Sequence, residues 1–293
     1  MEMQTVWADR AGTLEPEGGA GALLVASRGG GIAVPGAMAT VWLVLRGSVD
    51  VESRDGRFQV GPGRWLSLER EARPLAYASR EGLAVGLALS ATMQARLLQS
   101  ARIALYPGSG RMPTRSARAC FGLWRRAGPY LRNGRMPCDP DPARMNQILR
   151  QLAAFQHGYR MLIDRCPGRS QHRKRQVFAR LQRARLYLEG HLDRPVRVAE
   201  LAALSNVSVW YFTKTFHALY GEGPQACSAW LRLEQAARLL QDTRVSVGEI
   251  GAACGFENNC SFSRAFRAHF GMPPSLYRSI AASRRFLHIE ATA

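Results

Sequence analysis

The strongest constraint on the fold of this chain is a pattern that occurs twice towards its C-terminal end. A shift of 50 positions superimposes aromatic, basic, glycine and proline residues: Phe212 on Phe262, Lys214 on Arg264, Phe216 on Phe266, Gly221 on Gly271 and Pro224 on Pro274. Upstream the match continues at a shift of 49, so the second copy is one residue longer. This one-residue slip falls between the positions of Val207 and Phe212, where a turn accommodates it. Two successive copies of one short unit predict duplicated supersecondary structure.

Each copy has the pattern of a helix, a tight turn and a second helix. The first copy covers residues 198–219, with Ser208 as the cap of its second helix, and the second covers 247–270, with Gly255 in its turn. Each second helix places phenylalanines at helical spacing and is followed by a glycine that ends it. Two helices joined by a short turn form a helix-turn-helix, whose second helix enters the major groove of DNA.

The side chains opposite the phenylalanines are the candidates for reading DNA bases. They are Trp210, Thr213, Lys214 and His217 in the first copy, and Asn259, Cys260, Ser263, Arg264 and Arg267 in the second. A polar outward face is usually only solvated, but two such faces at matching positions favour a nucleic-acid interface. The phenylalanines themselves are predicted to lie in the core rather than against a ligand.

The chemistry of these side chains suggests different roles on DNA. Arg264 suits the two acceptors of guanine, Asn259 suits the edge of adenine, and Lys214 brings a point charge to guanine or a phosphate. Other positions are expected to make less specific contacts: Thr213 and Cys260 with apolar groups such as a thymine methyl, and His217 and Arg267 with phosphates.

The segment 243–278 also carries a family resemblance. Its matching residues are Gly255-Phe256, Phe262-Ser263-Arg264, Phe266, Phe270-Gly271, Pro274 and Tyr277-Arg278, extended upstream by Arg232-Leu233, Ala236, Leu239-Leu240 and Ile250. Through them the chain resembles the AraC/XylS family of bacterial transcription regulators over roughly residues 181–278. The resemblance implies two helix-turn-helix units joined by one long helix, here 225–241, that read adjacent major grooves on one face of DNA. Cys227 and Gly251 depart from the family pattern at packing positions.

Length and charge agree with this interpretation without locating the interface. The chain has 293 residues, so the DNA-binding segment leaves a larger part for another task. A net charge of +18, from 40 basic and 22 acidic residues, favours a polyanionic partner. Only 17 of the basic and 9 of the acidic residues follow residue 172, so the excess positive charge is spread over the whole chain.

Residues 1–92 are predicted to form a small β-barrel. Val49, Val51, Phe58 and Val60 alternate on either side of a turn at Asp55-Gly56, which indicates a hairpin. Further short strands follow at the spacing typical of barrels and sandwiches. The run 45–63 resembles half of a cupin, a domain found in front of many AraC-type DNA modules. The fold class is therefore α+β: a cupin-like barrel, a helical middle and an all-α C-terminal domain.

The resemblance to cupins raises an enzymatic alternative, because many cupins hold a catalytic metal. No histidine precedes His157, so the barrel lacks imidazole ligands, and its glutamates, Glu52, Glu69 and Glu71, are expected at the surface. An alkylation-repair protein with a related module would need a four-cysteine cluster or a Pro-Cys-His-Arg motif, and the sequence has neither. We predict no enzyme, no metal and no cofactor. Three aromatic residues, Trp42, Trp65 and Tyr77, either line a ligand cavity or fill the core.

Residues 93–170 are predicted to be helical, with helices at 93–103, 117–131 and 142–163. The apolar stripe of the last helix either forms a dimer interface or packs on the barrel. The segment 166–170 predicts a linker, so we place domains at 1–92 (sensor), 93–170 (helical, dimerisation or linker) and 171–293 (DNA-binding).

The cysteine pattern and the apolar runs predict the compartment. Six cysteines without C-x-x-C pairs favour reduced thiols in a cytoplasm. The apolar runs are too short for a membrane span, and the N-terminus lacks the pattern of a secretory signal. We therefore expect a cytoplasmic bacterial regulator, an activator or a repressor, whose partners are promoter DNA and RNA polymerase. A small-molecule or protein effector and a homodimer are further predicted partners, and a constitutive regulator is the remaining alternative.

Overall fold

A computed structural model describes residues 3–10, 12–16, 21–101, 104–112, 134–138 and 142–290, together with Ala119 and Gly122. The chain divides into two compact units, Met1–Leu186 and Tyr187–Ala293. The first is rich in β-sheet and the second is helical, which confirms the predicted mixed α+β class. Closure of the sheets into a barrel, likeness to a cupin and domain limits at residues 92 and 170 stay predictions.

The strands of the first unit form two sheets. The strands are β1 (Met3–Asp9), β2 (Gly12–Leu14), β3 (Gly21–Ser27), β4 (Gly30–Ala33), β5 (Met38–Arg46), β6 (Val49–Ser53), β7 (Gly56–Val60), β8 (Arg64–Leu68), β9 (Leu75–Ala78), β10 (Leu83–Ser90), β11 (Gly108–Arg111) and β12 (Gly134–Cys138). The larger sheet has the order β11-β8-β5-β10-β3-β1-β12 and the smaller has the order β2-β4-β9-β6-β7. Pairs β1–β3 and β2–β4 are parallel, and the other pairs are antiparallel.

Strand β5 is buried on both of its faces, which explains its continuous apolar run. Trp42 and Val44 belong to a core that residues of both sheets share. Leu43, on the opposite face, packs with residues of helices α1 (Ala91–Ala101) and α2 (Pro142–Phe155). Trp42 is fully buried, Trp65 is buried in the second core and Tyr77 is exposed. Of the three aromatic residues, the two tryptophans therefore fill the core.

The helix predicted at 142–163 is in fact two helices, α2 and α3 (Tyr159–Arg165). The break falls at Gln156, whose side chain bonds both backbone groups of Tyr106: its Oε1 accepts from the N–H at 2.9 Å and its Nε2 donates to the C=O at 2.7 Å. The stripe residues Ile148, Leu149 and Leu152 are buried against the larger sheet, so they pack within the chain. The helix predicted at 117–131 lies outside the described residues.

Two other segments differ from what their sequence indicates. The glycines and prolines of residues 107–113 are typical of a loop, yet strand β11 forms there, because pairing with β8 overrides the weak strand preference of glycine. Gly110 there approaches the Trp65 ring so closely that a Cβ atom would lie 2.8 Å from its Nε1. In the β6–β7 hairpin, Ser53 pairs with Gly56, so the two-residue loop is Arg54-Asp55, one position before the predicted turn.

Helix α4 (Gln171–Gly190) carries the chain from the first unit into the second. The helices that follow are α5 (Val198–Leu204), α6 (Val209–Tyr220), α7 (Pro224–Asp242), α8 (Val247–Ala253), α9 (Asn259–Phe270) and α10 (Pro274–Glu290). Within the described residues, no helix is long and apolar enough to cross a membrane. Nor do three or more His, Cys, Asp or Glu residues gather there as a metal site would require.

Candidate nucleic-acid interface

The sequence repeat is also a repeat of helix limits. Helices α5 and α8 begin and end 49 residues apart, whereas α6 and α9 begin and end 50 residues apart. The extra residue therefore lies in the second turn, between α8 and α9, as the sequence predicted. Each pair, α5–α6 and α8–α9, is a helix-turn-helix, and α7 is the long helix between them.

The same capping devices begin and end the two candidate recognition helices. Ser208 precedes α6 and Asn258 precedes α9, and each side chain accepts a hydrogen bond from the backbone N–H three residues on, at 3.3 and 2.8 Å. Gly221 and Gly271 end the helices in the left-handed conformation, with φ of 79° and 74°. The limits of both helices are therefore set by local residues.

The two turns share a left-handed residue at equivalent positions. Asn206 has φ of 52° and Gly255, 49 residues later, has φ of 73°. Asparagine tolerates this conformation better than most residues, and glycine adopts it freely. Gly255 also lies against the backbone of Arg194, where an added Cβ atom would approach the Cα atom to 2.7 Å.

Phenylalanines anchor each recognition helix in the core of its helix-turn-helix. Phe212 and Phe216 of α6 and Phe262 and Phe266 of α9 are fully buried, and the ring centroids within each pair lie 5.5 and 5.6 Å apart. Around α9 the core also includes residues of α7 and α8, together with the residue that follows α8: Leu233, Ala236, Ala237, Leu240, Ile250 and Cys254. This burial fixes which face of each helix points outward.

The predicted DNA-facing residues lie opposite or beside the buried phenylalanines, with one exception. Asn259, three residues before Phe262, lies on the phenylalanine side of α9, with its amide close to Gly248 of α8. Ser263 is half-buried, and the other eight are exposed: Trp210, Thr213, Lys214, His217, Asn259, Cys260, Arg264 and Arg267. Helices α6 and α9 contain no aspartate or glutamate. Each helix-turn-helix therefore offers a polar, cationic face on its second helix, and that helix carries no carboxylate that would repel DNA.

Several of these side chains are held by contacts one helical turn away. The Lys214 ammonium lies 4.8 Å from the ring centroid of Trp210, which is 69% exposed. Arg264 Nε donates to the Cys260 carbonyl at 3.3 Å, and Thr213 Oγ1 donates to a backbone carbonyl at 2.9 Å. Because Thr213 uses its hydroxyl within the helix, its methyl group is the part best suited to DNA.

An ion cluster that the sequence reasoning missed positions the first helix-turn-helix. Arg194 donates two hydrogen bonds to the Glu200 carboxylate, at 2.6 and 3.1 Å, and Tyr187 Oη donates a third at 2.5 Å. The hydrogen bonds from Arg194, followed by that from Tyr187, lower the pKa of Glu200 to about 2 despite partial burial. The cluster ties the end of α4 to α5, and no local spacing pattern announces it.

A second positioning residue is Arg232 on α7. Its Nη1 donates to the Gly255 carbonyl at 2.9 Å, and its guanidinium lies 4.8 Å from the ring centroid of Phe256. Partial burial lowers the pKa of Arg232, but the carbonyl contacts keep the group in place. Arg232 therefore fixes the second turn against the long helix, although the sequence singled it out only through the family resemblance.

Comparisons with known proteins agree with this geometry. Residues 201–280 match a family model described as a helix-turn-helix domain. An uncharacterized HTH-type transcriptional regulator, YobQ of Bacillus subtilis, is 36% identical over 93 residues, covering 32% of this chain and 39% of that protein. The MmsAB operon regulatory protein of Pseudomonas aeruginosa is 34% identical over 92 residues, covering 31% of this chain and 30% of that protein.

A solved structure from Chromobacterium violaceum, titled as a transcriptional regulator with an AraC-type DNA-binding domain, is 32% identical. The match covers 35% of this chain and 92% of that one, with a TM-score of 0.34. The matched helix-turn-helix domain lies in the second unit of the chain, and the chain spans less than two-fifths of the length of the two curated relatives.

Proposed function

We propose that this protein is a sequence-specific transcription regulator of the AraC type that reads two adjacent major grooves of promoter DNA. The observation that carries the proposal is the repeated pair of recognition helices, α6 and α9, each anchored by phenylalanines and each cationic on the opposite face. The names of the curated relatives, an HTH-type transcriptional regulator and an operon regulatory protein, point to the same activity.

Within the interface we assign base reading chiefly to Arg264, Asn259 and Lys214. Arg264 carries a fork of donors that fits guanine O6 and N7, and Asn259 pairs in a similar way with adenine. His217 and Arg267 lie nearer the C-terminal ends of their helices, and we assign them to phosphates. The remaining four positions, Trp210, Thr213, Cys260 and Ser263, contribute apolar and weak polar contacts.

The task proposed for the first unit is to make DNA binding depend on a signal. A small-molecule or protein effector that binds there shifts the population of states competent to bind DNA and RNA polymerase. A homodimer also remains part of the proposal, but it needs a surface other than Ile148, Leu149 and Leu152, which are buried within the chain. The protein acts as a binding protein rather than an enzyme, in the cytoplasm where bacterial promoters lie.

The test begins with selection of binding sites from random duplex DNA by the full chain. On the selected site, Arg264→Ala is expected to cost roughly 1–3 kcal/mol and to relax preference at one base position. Arg267→Ala is expected to weaken binding to all sequences alike. Because each phosphate contact contributes about −0.9 to the log–log slope of affinity against salt, this variant also flattens that slope by about one.

The matched control is Arg57→Ala, which removes one exposed arginine of the first unit. Its affinity and its selected site are expected to equal those of the unmodified chain. If random DNA yields no preferred site, or if Arg264→Ala and Arg57→Ala behave alike, the proposed interface is wrong.

A further inference from the structure

A cleft in the first unit combines an open cavity with a half-buried carboxylate. Its volume is about 140 Å³, below the roughly 300–1,000 Å³ of sites for drug-sized ligands, so the cleft suits only a small molecule. Its apolar wall includes Val41, Leu89, Leu105 and Pro107. Its polar lining residues are Thr40, Ser67, Glu69, Arg70, Glu71, Gln94 and Tyr106.

Glu69 in this cleft forms only a long ion pair with its nearest cation, Arg183, and no hydrogen bond to it. Arg183 of α4 donates from Nε and Nη2 to Asp55 Oδ1, each at 3.3 Å, so Asp55 is its main partner. The distance from Arg183 Nη1 to Glu69 Oε2 is 3.6 Å, which is too long for a hydrogen bond. Arg183 is thus shared between two carboxylates and hydrogen-bonds only one of them.

The charges around Glu69 do not balance. Within the described part of the chain, the charged groups that act on Glu69 are Asp55 in the hairpin loop, Arg70 and Glu71 beside it and Arg183 on α4. Three carboxylates face two guanidinium groups, which leaves one negative charge when all are ionised. Burial is the largest influence on Glu69 and raises its pKa to about 7, so near neutral pH a proton supplies the missing charge part of the time.

We propose that the cleft binds a small aliphatic amine, whose ammonium group pairs with the Glu69 carboxylate while its carbon chain packs on Leu89, Leu105 and Pro107. The ammonium supplies the one positive charge that the group of Asp55, Glu69, Glu71, Arg70 and Arg183 lacks. The hydroxyl of Ser67 and the amide of Gln94 offer hydrogen bonds to a second polar end of the ligand.

The same site offers a route for the signal, a step that rests on the proposed function. Arg183 lies on α4, the helix by which the chain continues into the second unit at Tyr187. An amine that pairs with Glu69 replaces Arg183 as the cation beside that carboxylate, so that Arg183 pairs only with Asp55. The ion pairs that fix α4 to the rest of the first unit therefore change. Occupancy of the cleft therefore alters the affinity of the full chain for DNA.

The test measures binding of three probes of similar size to the full chain by calorimetry. They are 4-amino-1-butanol, 1,4-butanediol and 4-hydroxybutyrate, which differ in charge at one end. The amino alcohol is expected to bind at least tenfold more tightly than the diol, and the anion more weakly still. Its affinity is expected to rise roughly tenfold from pH 6 to pH 8, as a carboxyl with a pKa of about 7 ionises.

Two variants and one control make the result specific. Glu69→Gln keeps the size of the side chain and is expected to abolish both the preference for the amine and the pH dependence. Ala39→Leu places a larger side chain in the cleft and is expected to block all three probes. Glu52→Gln, at an exposed site, is expected to change neither the preference for the amine nor the pH dependence. Equal binding of amine and diol, or an unchanged preference in Glu69→Gln, overturns the site.

The regulatory step has its own readout. DNA affinity of the full chain is measured with and without saturating 4-amino-1-butanol, and a change of at least threefold that Glu69→Gln removes is expected. An unchanged affinity overturns the signalling step. The proposed function fails separately, because ligand-free chain that selects no DNA site contradicts it whatever the cleft binds.

Discussion

Asn206 and Gly255 occupy the same place in two copies of one turn, yet their surroundings make different demands. Both have positive φ, so each position selects a residue that tolerates the left-handed region. Only Gly255 also lies against another backbone segment, at Arg194. At Asn206 only the backbone conformation restricts the residue type. At Gly255 the backbone conformation and the lack of room for a side chain both restrict it.

This difference predicts an asymmetry between two exchanges. Gly255→Asn keeps a tolerated φ but places a Cβ atom 2.7 Å from Arg194 Cα, so it is expected to lower the free energy of unfolding by about 2–4 kcal/mol. Asn206→Gly keeps the turn and is expected to change it by less than about 1 kcal/mol. Chemical denaturation of both variants checks this, and equal losses would show that φ alone governs the two turns.

At the scale of elements, the helices of the second unit follow closely from the sequence. Helix α5 begins at the predicted residue 198, and Ser208 and Gly221 begin and end α6 as predicted, because capping residues act on their own neighbours. The outward faces were predictable for the same reason, since phenylalanines at helical spacing fix what is buried. Local signals of this kind need no knowledge of the rest of the chain.

The elements that escaped prediction depend on distant partners. Strand β12 pairs with β1, more than a hundred residues earlier, and β11 contains two glycines that only its pairing with β8 holds extended. The break between α2 and α3 coincides with hydrogen bonds from Gln156 to Tyr106, 50 residues away. The predicted DNA interface lacked two positioning residues, Arg194 and Arg232, for the same reason. They act through contacts with distant residues, which helical spacing in the sequence does not reveal.

The cluster of Tyr187, Arg194 and Glu200 predicts how the first helix-turn-helix responds to acid. Because hydrogen bonds lower the pKa of Glu200 to about 2, its ionised form stabilises the folded state above the unfolded value near 4.5. This stabilisation is lost as the pH falls from about 4.5 towards 2. Glu200→Gln is therefore expected to cost about 1 kcal/mol at pH 7, since both partners are partly exposed, and to cost less at pH 3.

Denaturation of the full chain at pH 7 and pH 3 measures this effect, with Glu257→Gln as the control at an exposed position of the second unit. The control is expected to change stability by no more than about 0.5 kcal/mol at either pH. A cost of Glu200→Gln that grows towards low pH would contradict the assignment of the cluster as a stabilising ion pair.

At the scale of the whole molecule, two features of the chain bear on regulation. In the second unit, the long helix α7 joins two helix-turn-helix pairs, so that both recognition helices belong to one compact body. The first unit is a separate body with its own cores, and α4 is continuous between them.

The bipartite reader makes a prediction that neither helix makes alone. If α6 and α9 enter successive major grooves on one face of DNA, the bases that they read lie about one helical turn apart, roughly 10 base pairs. Lys214→Ala and Arg264→Ala are each put through selection from random DNA, beside the unmodified chain and Arg57→Ala. Each of the first two is expected to relax preference in its own half of the site, with the two relaxed positions separated by about that distance. Relaxation at one shared position, or at positions half a turn apart, would mean that the two helices do not read adjacent grooves on one face.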